Sequence, residues 1–288
     1  MAPVVRERGV RFEFLRMRPH DHMGWVFAGA SEFAALAAPY LTEGAALGER
    51  LMYVAEDPDP QDLLQLAGVV DPRALRIATI ADVYGSRGIV DPPRQLATFL
   101  GEVADAKAAG YTGLRVVADN TSLVTDEERM KAWIQWEIIA DHAVAEHPFT
   151  ALCAFSKDKV GTGRLSQIAA LHPLSSASGP VPRFRLFSDG EAVHIEGRVD
   201  SYAVTRLWLA LETLPVRVDV VVDLATARLM GPGVLTGLTQ LCDCGINVRI
   251  RGEPAALDEL LESVPEHPDR LVLEETRIRP RARSSSAS

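Results

Sequence analysis

Residues 40–57 read Y-L-T-E-G-A-A-L-G-E-R-L-M-Y-V-A-E-D, the end of a helical pattern followed directly by a strand pattern. Apolar residues recur at helical spacing over 32–47, with Ser31 as the predicted N-cap. The strand at 50–55 is apolar without alternation, which is typical of a parallel strand covered on both faces. A helix that leads into a fully covered strand predicts an α/β fold.

The same alternation of strand and helix patterns extends through the first 173 residues. Further strands are predicted at 23–27, 75–80, 114–118 and 150–155, and further helices at 61–67, 93–109 and 127–145. A repeated β-α order of this kind predicts a mostly parallel sheet flanked by helices.

The chain is predicted to divide at residues 174–183, which read L-S-S-A-S-G-P-V-P-R. Ser, Gly and Pro disfavour regular structure, so we interpret this stretch as a linker between domains 1–173 and 184–276. Residues 277–288 contain four arginines and then S-S-S-A-S, and they are predicted to form a disordered tail.

The second predicted domain opens with a β-hairpin. Strand patterns at 183–188 and 192–196 flank Asp189-Gly190, a favourable turn dipeptide. Beyond the hairpin, helices are predicted at 202–211, 233–242 and 254–261, and strands at 216–224, 247–250 and 271–274. These patterns predict a smaller α/β domain with a mixed sheet covered by helices.

Composition narrows the classes of function. The 288 residues are 47% hydrophobic, which excludes disorder as the main state, and their formal net charge of -9 argues against a nucleic-acid partner. No apolar run reaches the roughly 20 residues of a membrane span. Arg6 and Arg8 stand where a signal peptide needs its apolar stretch, so a cytoplasmic protein without a membrane partner is predicted.

The glycine-containing loops do not predict nucleotide hydrolysis. Gly44 and Gly48 are spaced somewhat like a phosphate loop, but Glu49 and Arg50 follow where a lysine and a hydroxyl residue are needed. We attribute these two glycines to the end of a helix. A RecA-class protein that binds or hydrolyses nucleotides through non-Walker contacts is the alternative that stays open.

The histidines do not predict a metal centre from their spacing. His20 and His22 would share a face of a strand, yet the nearby sequence offers only Asp21 as a further ligand. His142 and His147 are predicted to be solvated. Since no serine, histidine and carboxylate set stands out either, the sequence predicts a protein that is not an enzyme.

The long predicted helix at 127–145 carries a second group of interest. Trp133 and Trp136 lie on one stripe with Glu137 beside it. This stripe is either part of the core or the edge of a small apolar pocket in which the carboxylate orients a ligand.

Several motifs follow one another through the first domain. They are Asp21-His22, the stretch at 40–57, Y-G-S-R-G-I-V-D-P at 84–92, G-Y-T-G-L-R-V at 110–116, Trp136-Glu137, A-L-C-A-F at 151–155 and L-H-P at 171–173. In these motifs the domain resembles the MEDS family, the methanogen/methylotroph sensory domain. The resemblance implies a RecA-like fold without a working Walker loop, and a sensory role with a small organic ligand. The ligand-binding candidates are His22, Glu49, Tyr84, Arg115, Asp119, Trp136, Glu137 and Cys153.

One stretch departs from the family pattern. Residues 118–122 read A-D-N-T-S, where the family usually has G-E-M-[ST]-W, so Asp119 and Ser122 replace a glutamate and a tryptophan. If this stretch lines the ligand pocket, the ligand of this protein differs or is absent.

The second domain is similar to a STAS domain, the fold of anti-sigma factor antagonists, over L-F-S-D-G-E-A-V-H-I-E-G-R-V-D at 186–200, 218–238 and G-I-N-V-R-I-R-G at 245–252. The family's phosphorylated serine aligns with Pro232, which has no hydroxyl, so no phosphosite is expected. The resemblance implies an anti-sigma factor, or another protein of the histidine-kinase-like ATPase fold, as the partner. The partner-binding candidates are Met230, Gly231, Pro232, Gly233, Leu235, Thr236 and Thr239.

Together these patterns predict a non-enzymatic signalling protein without a cofactor or metal, in which a sensory domain regulates partner binding by a STAS-like domain. Two alternatives remain: the nucleotide-binding protein named above, and an interaction scaffold whose two domains have both lost ligand binding. A homodimer is left open.

Overall fold

The computed structural model describes residues 6–58, 71, 73–212, 214, 219–231, 233–263 and 269–275. They form an α/β protein with two sheets, as predicted: a seven-stranded parallel sheet in the first part and a five-stranded mixed sheet in the second. Within these ranges, no helix combines the length and apolar character that crossing a membrane requires. The predicted helix at 61–67 and the predicted tail at 277–288 lie outside the described residues.

The first sheet has the order β1-β7-β2-β6-β5-β3-β4. Its strands are β1 (Gly9–Arg11), β2 (His22–Phe27), β3 (Arg50–Ala55), β4 (Leu75–Thr79), β5 (Leu114–Asp119), β6 (Phe149–Ser156) and β7 (Leu174–Ser176). Its helices are α1 (Gly29–Ala46), α2 (Ile80–Tyr84), α3 (Pro92–Ala108), α4 (Glu127–Glu146) and α5 (Thr162–Ala170), with a 3-10 turn at Thr121–Val124.

Helices cover both faces of this sheet, which explains the unbroken apolar strands. Phe33 and Tyr40 of α1 pack on one face against Tyr53, while Trp133 of α4 packs on the other face with Phe155. Parallel strands buried on both sides read as continuous apolar runs because neither set of side chains meets water.

The predicted N-cap of α1 is wrong by three residues. The helix begins at Gly29, with Ala28 as its extended N-cap, and Ser31 lies inside the first turn. The Glu32 carboxylate accepts a hydrogen bond from the Ala28 N–H at 2.6 Å, so an acidic residue satisfies the helix start instead of a serine hydroxyl.

The predicted linker is also wrong at its beginning. Leu174–Ser176 form β7, a buried strand paired with β1 and β2. The serine hydroxyls are tolerated there because they have partners: Ser176 Oγ accepts from the Val26 N–H at 3.0 Å, and Ser175 Oγ accepts from Arg185 at 2.8 Å. Composition indicated a linker, but hydrogen bonding makes this serine pair part of the sheet.

The second sheet has the order β12-β11-β10-β9-β8, in which β8 and β9 are antiparallel and the other pairs are parallel. Its strands are β8 (Phe184–Ser188), β9 (Ala192–Val199), β10 (Asp219–Leu229), β11 (Val248–Gly252) and β12 (Leu271–Glu275). Its helices are α6 (Ser201–Leu211), α7 (Gly233–Asp243) and α8 (Pro254–Ser263). The predicted hairpin is confirmed, and residues 216–218 of the predicted strand 216–224 lie outside the described residues.

The second sheet packs against helices of the first domain rather than standing apart on a linker. Edge strand β8 is buried along its whole length against α4 and α5, and one continuous hydrophobic core contains residues of both parts. Polar contacts add to this junction, since Arg185 donates hydrogen bonds to the carbonyl oxygens of Ala169 and His172. The edge of the second sheet is therefore covered by the first domain.

Candidate functional site

A small internal cavity lies between the first sheet and helices α3 and α4. Its volume is about 20 Å³, and its walls are mostly apolar side chains of β5, β6, α3 and α4. His22, Tyr84 and Cys153 contribute its polar groups, and the ring of Trp136 forms part of the wall. A space of this size holds about one water-sized group without movement of the walls.

Four buried side chains, which we call the His22 cluster, converge beside this cavity: His22, Glu137, Cys153 and His172. The Nε2 atoms of His22 and His172 each lie 2.9 Å from Oε1 of Glu137. The Sγ atom of Cys153 lies 3.5 Å from Nε2 of His22. The four ligand-type atoms all lie within 4.8 Å of one another.

The other ring nitrogen of each histidine is held by an acceptor. Nδ1 of His22 lies 3.0 Å from Oδ1 of Asp141, and Nδ1 of His172 lies 2.9 Å from the carbonyl oxygen of Ile168. Because an ionised carboxylate and a carbonyl can only accept, both Nδ1 atoms carry a hydrogen. Each Nε2 atom is therefore turned towards the shared carboxylate of Glu137.

The contacts at the centre of the cluster lack hydrogen-bond geometry, although they are short. Both oxygens of Glu137 and the Nε2 atom of His172 have no hydrogen-bond partner among the described residues. All three atoms belong to side chains that are at most 1% exposed. Buried polar groups are normally satisfied by hydrogen bonds, so these three atoms depart from the usual pattern.

Charge interactions dominate the protonation of the cluster. Burial raises the pKa of Glu137, but the rings of His172 and His22 outweigh it and lower this pKa to about 2. Burial lowers the pKa of His172, but the Glu137 carboxylate raises it to about 9. The pKa of His22 is likewise raised well above its ordinary value, against burial, by Glu137 and by the hydrogen bond to Asp141. The cluster thus favours an anionic carboxylate surrounded by positive charge.

The fold brings these residues together from β2, α4, β6 and the turn between α5 and β7. Glu137 and Asp141 are one turn apart on α4, so they face the sheet together. Cys153 of β6 lies in register with Gly24 of β2. A Cβ atom on Gly24 would come within 3.0 Å of the His172 ring, so the missing side chain at this position gives the histidine its space.

The sequence model of the MEDS domain, described as the MEthanogen/methylotroph, DcmR Sensory domain, matches residues 21–173, which is more than half of the chain. The chain belongs to the MEDS family. A comparison with curated proteins found no match.

The MEDS domain contains the whole His22 cluster and the cavity. Five of the sequence-predicted ligand residues are brought together here. They are His22, Tyr84, Trp136, Glu137 and Cys153. The sequence left open whether the stripe of Trp133, Trp136 and Glu137 belongs to the core or to the edge of a pocket. Each interpretation describes part of it, because Trp133 is fully buried in the core and Trp136 lines the cavity.

Glu49 and Arg115 do not reach this cavity and lie on the opposite face of the MEDS sheet. The buried guanidinium of Arg115 donates from Nε to Glu49 at 2.5 Å and from Nη2 to the Met17 carbonyl oxygen at 2.8 Å. It also lies 4.7 Å over the ring of Tyr40. These groups hold α1 on the sheet, which makes them structural residues in this geometry.

The prediction that the nearby glycines mark a helix end is confirmed for Gly48, whereas Gly44 lies within the last turn of α1. Gly48 follows the end of α1 with a φ of 73°, a conformation that favours glycine at a helix C-terminus. A side chain on Gly44 would collide with Arg115.

Asp119 also lies away from the cavity, at the end of β5. Its Oδ1 accepts hydrogen bonds from the backbone N–H and the hydroxyl of Thr121. Burial raises the pKa of Asp119. Of the departing stretch at 118–122, Ala118 contributes to the cavity wall, whereas Asp119 and Ser122 do not line it.

A second pocket of the MEDS domain lies on the far side of Tyr84. It has a volume of about 130 Å³ and is formed by the Y-G-S-R-G stretch and the start of α3. Arg87 and Arg94 at its rim are exposed, whereas Gln95 is buried, with its Nε2 atom unpartnered among the described residues. Tyr84 contributes to the lining of both the apolar cavity and this polar pocket.

Sequence reasoning missed His172 and Asp141 as site residues and misplaced His142. His172 was read only as part of the closing L-H-P motif, and Asp141 gave no signal beyond its spacing of four from Glu137. His142, predicted to be solvated, is 5% exposed and lies 2.9 Å from Ser188 Oγ in the second domain. A polar residue on a helix can be buried when a second domain packs on it.

The prediction of no metal site considered only residues close to His22 in the sequence, where Asp21 is the one further ligand type. The structure places three other ligand-type residues close to His22 in space. The ligand-type atoms around His22 come from residues 115, 131 and 150 positions further along the chain.

The predicted partner surface of the second domain is solvent-accessible where it is described. Met230 is 40% exposed, and Gly231, Gly233 and Thr236 are exposed around the start of α7. Leu235 and Thr239 are half-buried. Pro232 lies outside the described residues.

Proposed function

We propose that this protein is a non-enzymatic signalling protein whose MEDS domain senses a small ligand and whose C-terminal domain, which is STAS-like, passes the signal to a protein partner. The family membership supports the sensory role. The observation that carries the coupling of the two domains is the position of Asp141, which touches both the His22 cluster and the second sheet.

The two carboxylate oxygens of Asp141 contact different domains. Oδ1 lies 3.0 Å from Nδ1 of His22, and Oδ2 accepts a hydrogen bond from the backbone N–H of Ser188 at 2.6 Å. Arg6 binds both oxygens and also donates to the Ser188 carbonyl oxygen. A ligand that moves His22 therefore changes a hydrogen-bond network that includes β8 of the second domain.

The cavity favours a ligand that is small and largely apolar with one polar group. Its volume of about 20 Å³ admits few atoms, and its walls are mainly apolar. His22 and Cys153 stand at its polar end. A larger ligand must displace a wall side chain, and Tyr84 is suited to this because it also lines the second pocket.

The response is proposed to be a change in partner affinity rather than phosphorylation. In the resemblance to STAS domains, Pro232 stands at the position of the phosphorylated serine, and proline has no hydroxyl. A ligand can shift the partner-binding state only by binding one conformation better than another. The exposed surface around Met230 and Thr236 supplies a contact area for an anti-sigma factor of the histidine-kinase-like ATPase fold.

Binding of purified anti-sigma factors of that fold tests the response, using the full chain in titration calorimetry. We expect a complex with at least one of them and a loss of affinity of about tenfold or more for Met230→Glu. Val272→Glu is a matched control, because Val272 is 43% exposed and Met230 is 40% exposed. Absence of binding to every candidate, or equal losses in both variants, contradicts the proposed partner surface.

A thermal-shift screen of the full chain tests the sensory role with short-chain alcohols, amines and thiols. A ligand that binds only the folded state raises the melting temperature. We expect Ala140→Leu, which fills the cavity, to abolish the shift given by any such compound. Stabilisation by ATP or GTP with magnesium, and by none of the small compounds, would replace this proposal with the nucleotide-binding alternative.

A further inference from the structure

We propose that the His22 cluster is a zinc site, with His22, Glu137, Cys153 and His172 as the four protein ligands. The inference rests on the donor atoms of this cluster. It does not depend on the proposed sensory role or on any protein partner.

The donor set is one that zinc prefers. Zn²⁺ takes imidazole nitrogen, thiolate sulfur and carboxylate oxygen, almost always four ligands in a tetrahedron. At ordinary Zn–N, Zn–S and Zn–O lengths, tetrahedral ligand atoms stand roughly 3.3–3.8 Å apart. The four atoms here lie within 4.8 Å, with the closest pairs at 2.9 Å, so side-chain adjustments of less than about 1 Å complete the tetrahedron.

Both histidines are oriented as zinc-binding histidines usually are. Such a histidine coordinates through one nitrogen and donates its other N–H to a carboxylate or a backbone carbonyl oxygen. His22 does so to Asp141 and His172 does so to Ile168. The Nε2 atoms that remain both lie 2.9 Å from the same Glu137 oxygen.

The atoms at the centre of the cluster lack other partners. Both Glu137 oxygens and the His172 Nε2 atom are buried without hydrogen bonds among the described residues. Coordination to a cation satisfies all three atoms at once, because the Glu137 oxygens offer lone pairs and the cation replaces the proton on Nε2 of His172. A hydrogen-bonded proton between Glu137 and one histidine would satisfy fewer of them.

The buried charges also balance with a dication. Zn²⁺ and the guanidinium of Arg6 carry three positive charges together. The Cys153 thiolate and the carboxylates of Glu137 and Asp141 carry three negative charges, and Arg6 lies 2.6 Å from Asp141. Buried charges are tolerated when they are paired in this way or coordinate a metal.

Metal analysis of the purified full chain, combined with Co²⁺ replacement, tests the proposal. We expect close to one bound zinc per chain after purification without chelator, release by chelator, and rebinding of added Zn²⁺. Co²⁺ should give the visible absorption of a tetrahedral site together with a thiolate-to-cobalt charge-transfer band. These measurements use the unaltered protein, so they do not depend on a variant that folds.

Variants then assign the ligands. We expect Cys153→Ser to remove the charge-transfer band and to weaken Zn²⁺ binding by more than about 100-fold, which exceeds the usual effect of losing a supporting outer residue. Cys242→Ser, which removes a buried thiol of the second domain, should change neither property.

Three results would overturn the assignment: no zinc at stoichiometric occupancy, a Co²⁺ spectrum without the thiolate band, or unchanged affinity in Cys153→Ser. Stoichiometric binding of a different metal at the same ligands would also overturn the assignment to zinc.

Discussion

The Asp141 carboxylate accepts a hydrogen bond from the backbone N–H of Ser188 at 2.6 Å, and this contact joins α4 of the MEDS domain to β8 of the second domain. The same carboxylate is held by Arg6 and by Nδ1 of His22. A single buried side chain therefore belongs at once to the domain junction and to the surroundings of the His22 cluster.

Removal of this carboxylate should destabilise the whole protein. We expect Asp141→Ala to lower the free energy of unfolding by about 3–5 kcal/mol, because it leaves the buried Arg6 guanidinium without its partner. Asp105→Ala, at an exposed position of α3, should change it by less than about 0.5 kcal/mol. Urea denaturation of the full chain measures both values, and a similar small change in the two variants would contradict the proposed role of the junction.

A methyl group at Gly24 should disturb the His22 cluster. Its carbon would stand 3.0–3.3 Å from three atoms of the His172 ring, so we expect the ring to shift and the stability to fall by about 1–3 kcal/mol. Gly101→Ala is the opposite case, since Gly101 is in α3 with open space around it, and stability should rise by about 0.5–1 kcal/mol. Equal effects of the two substitutions in thermal unfolding would show that the crowding at His172 is unimportant.

Glu49 should act through stability and not through the cavity. We expect Glu49→Ala to cost about 3 kcal/mol, because Arg115 loses a buried ion-pair partner at 2.5 Å. Binding of Zn²⁺ or of any ligand of the cavity should stay within about twofold of the native protein, since the pair lies on the other face of the sheet. Glu56→Ala, at an exposed position, serves as the control for the loss of one carboxylate. A large change in metal or ligand affinity for Glu49→Ala would restore Glu49 as a site residue.

The turn of the β8–β9 hairpin should contribute acid-sensitive stability. Burial raises the pKa of Asp189, but hydrogen bonds from His194 and from the backbone N–H groups of Ala192 and Glu191 outweigh it and hold this pKa well below its ordinary value. A carboxyl group with a depressed pKa stabilises the folded state above the pKa of the unfolded chain, about 3.9, and loses that contribution as the pH falls further.

We therefore expect Asp189→Asn to be less stable than the native protein at neutral pH by about 1 kcal/mol. The difference should shrink below about pH 4. Asp158→Asn, at an exposed position outside the β8–β9 hairpin, should change the stability by an amount that does not depend on pH in this way. Denaturation curves across this pH range measure the difference, and a gap that stays constant would argue against the role of the Asp189 carboxylate.

Local patterns predicted most of the fold. Continuous apolar runs predicted β2, β3, β5 and β6, because each of these strands is covered on both faces and no water selects polar residues. The Asp-Gly pair predicted the hairpin, where Gly190 has a φ of 90°. These signals depend only on neighbours within one element or one turn, which is why they can be read in the chain.

Features that depend on distant partners could not be read in this way. Ser175 and Ser176 indicated a linker, yet hydrogen bonds to Arg185 and Val26 place them in a buried strand. His142 indicated a solvated position, yet the second domain covers it. In each case the partner that makes burial favourable lies outside the local pattern.

By itself, the sequence determined an α/β protein with two sheets and pointed to five of the residues around the cavity, because apolar periodicity, turn dipeptides and family motifs are local properties of the chain. Only the tertiary structure decided that His172 and Asp141 join them, that Glu49 and Arg115 belong to the other face, and that the two sheets share one core. The physical reason is that a buried polar cluster is defined by distances between its atoms. Those distances arise only when the strands, α4 and the turn between α5 and β7 pack together.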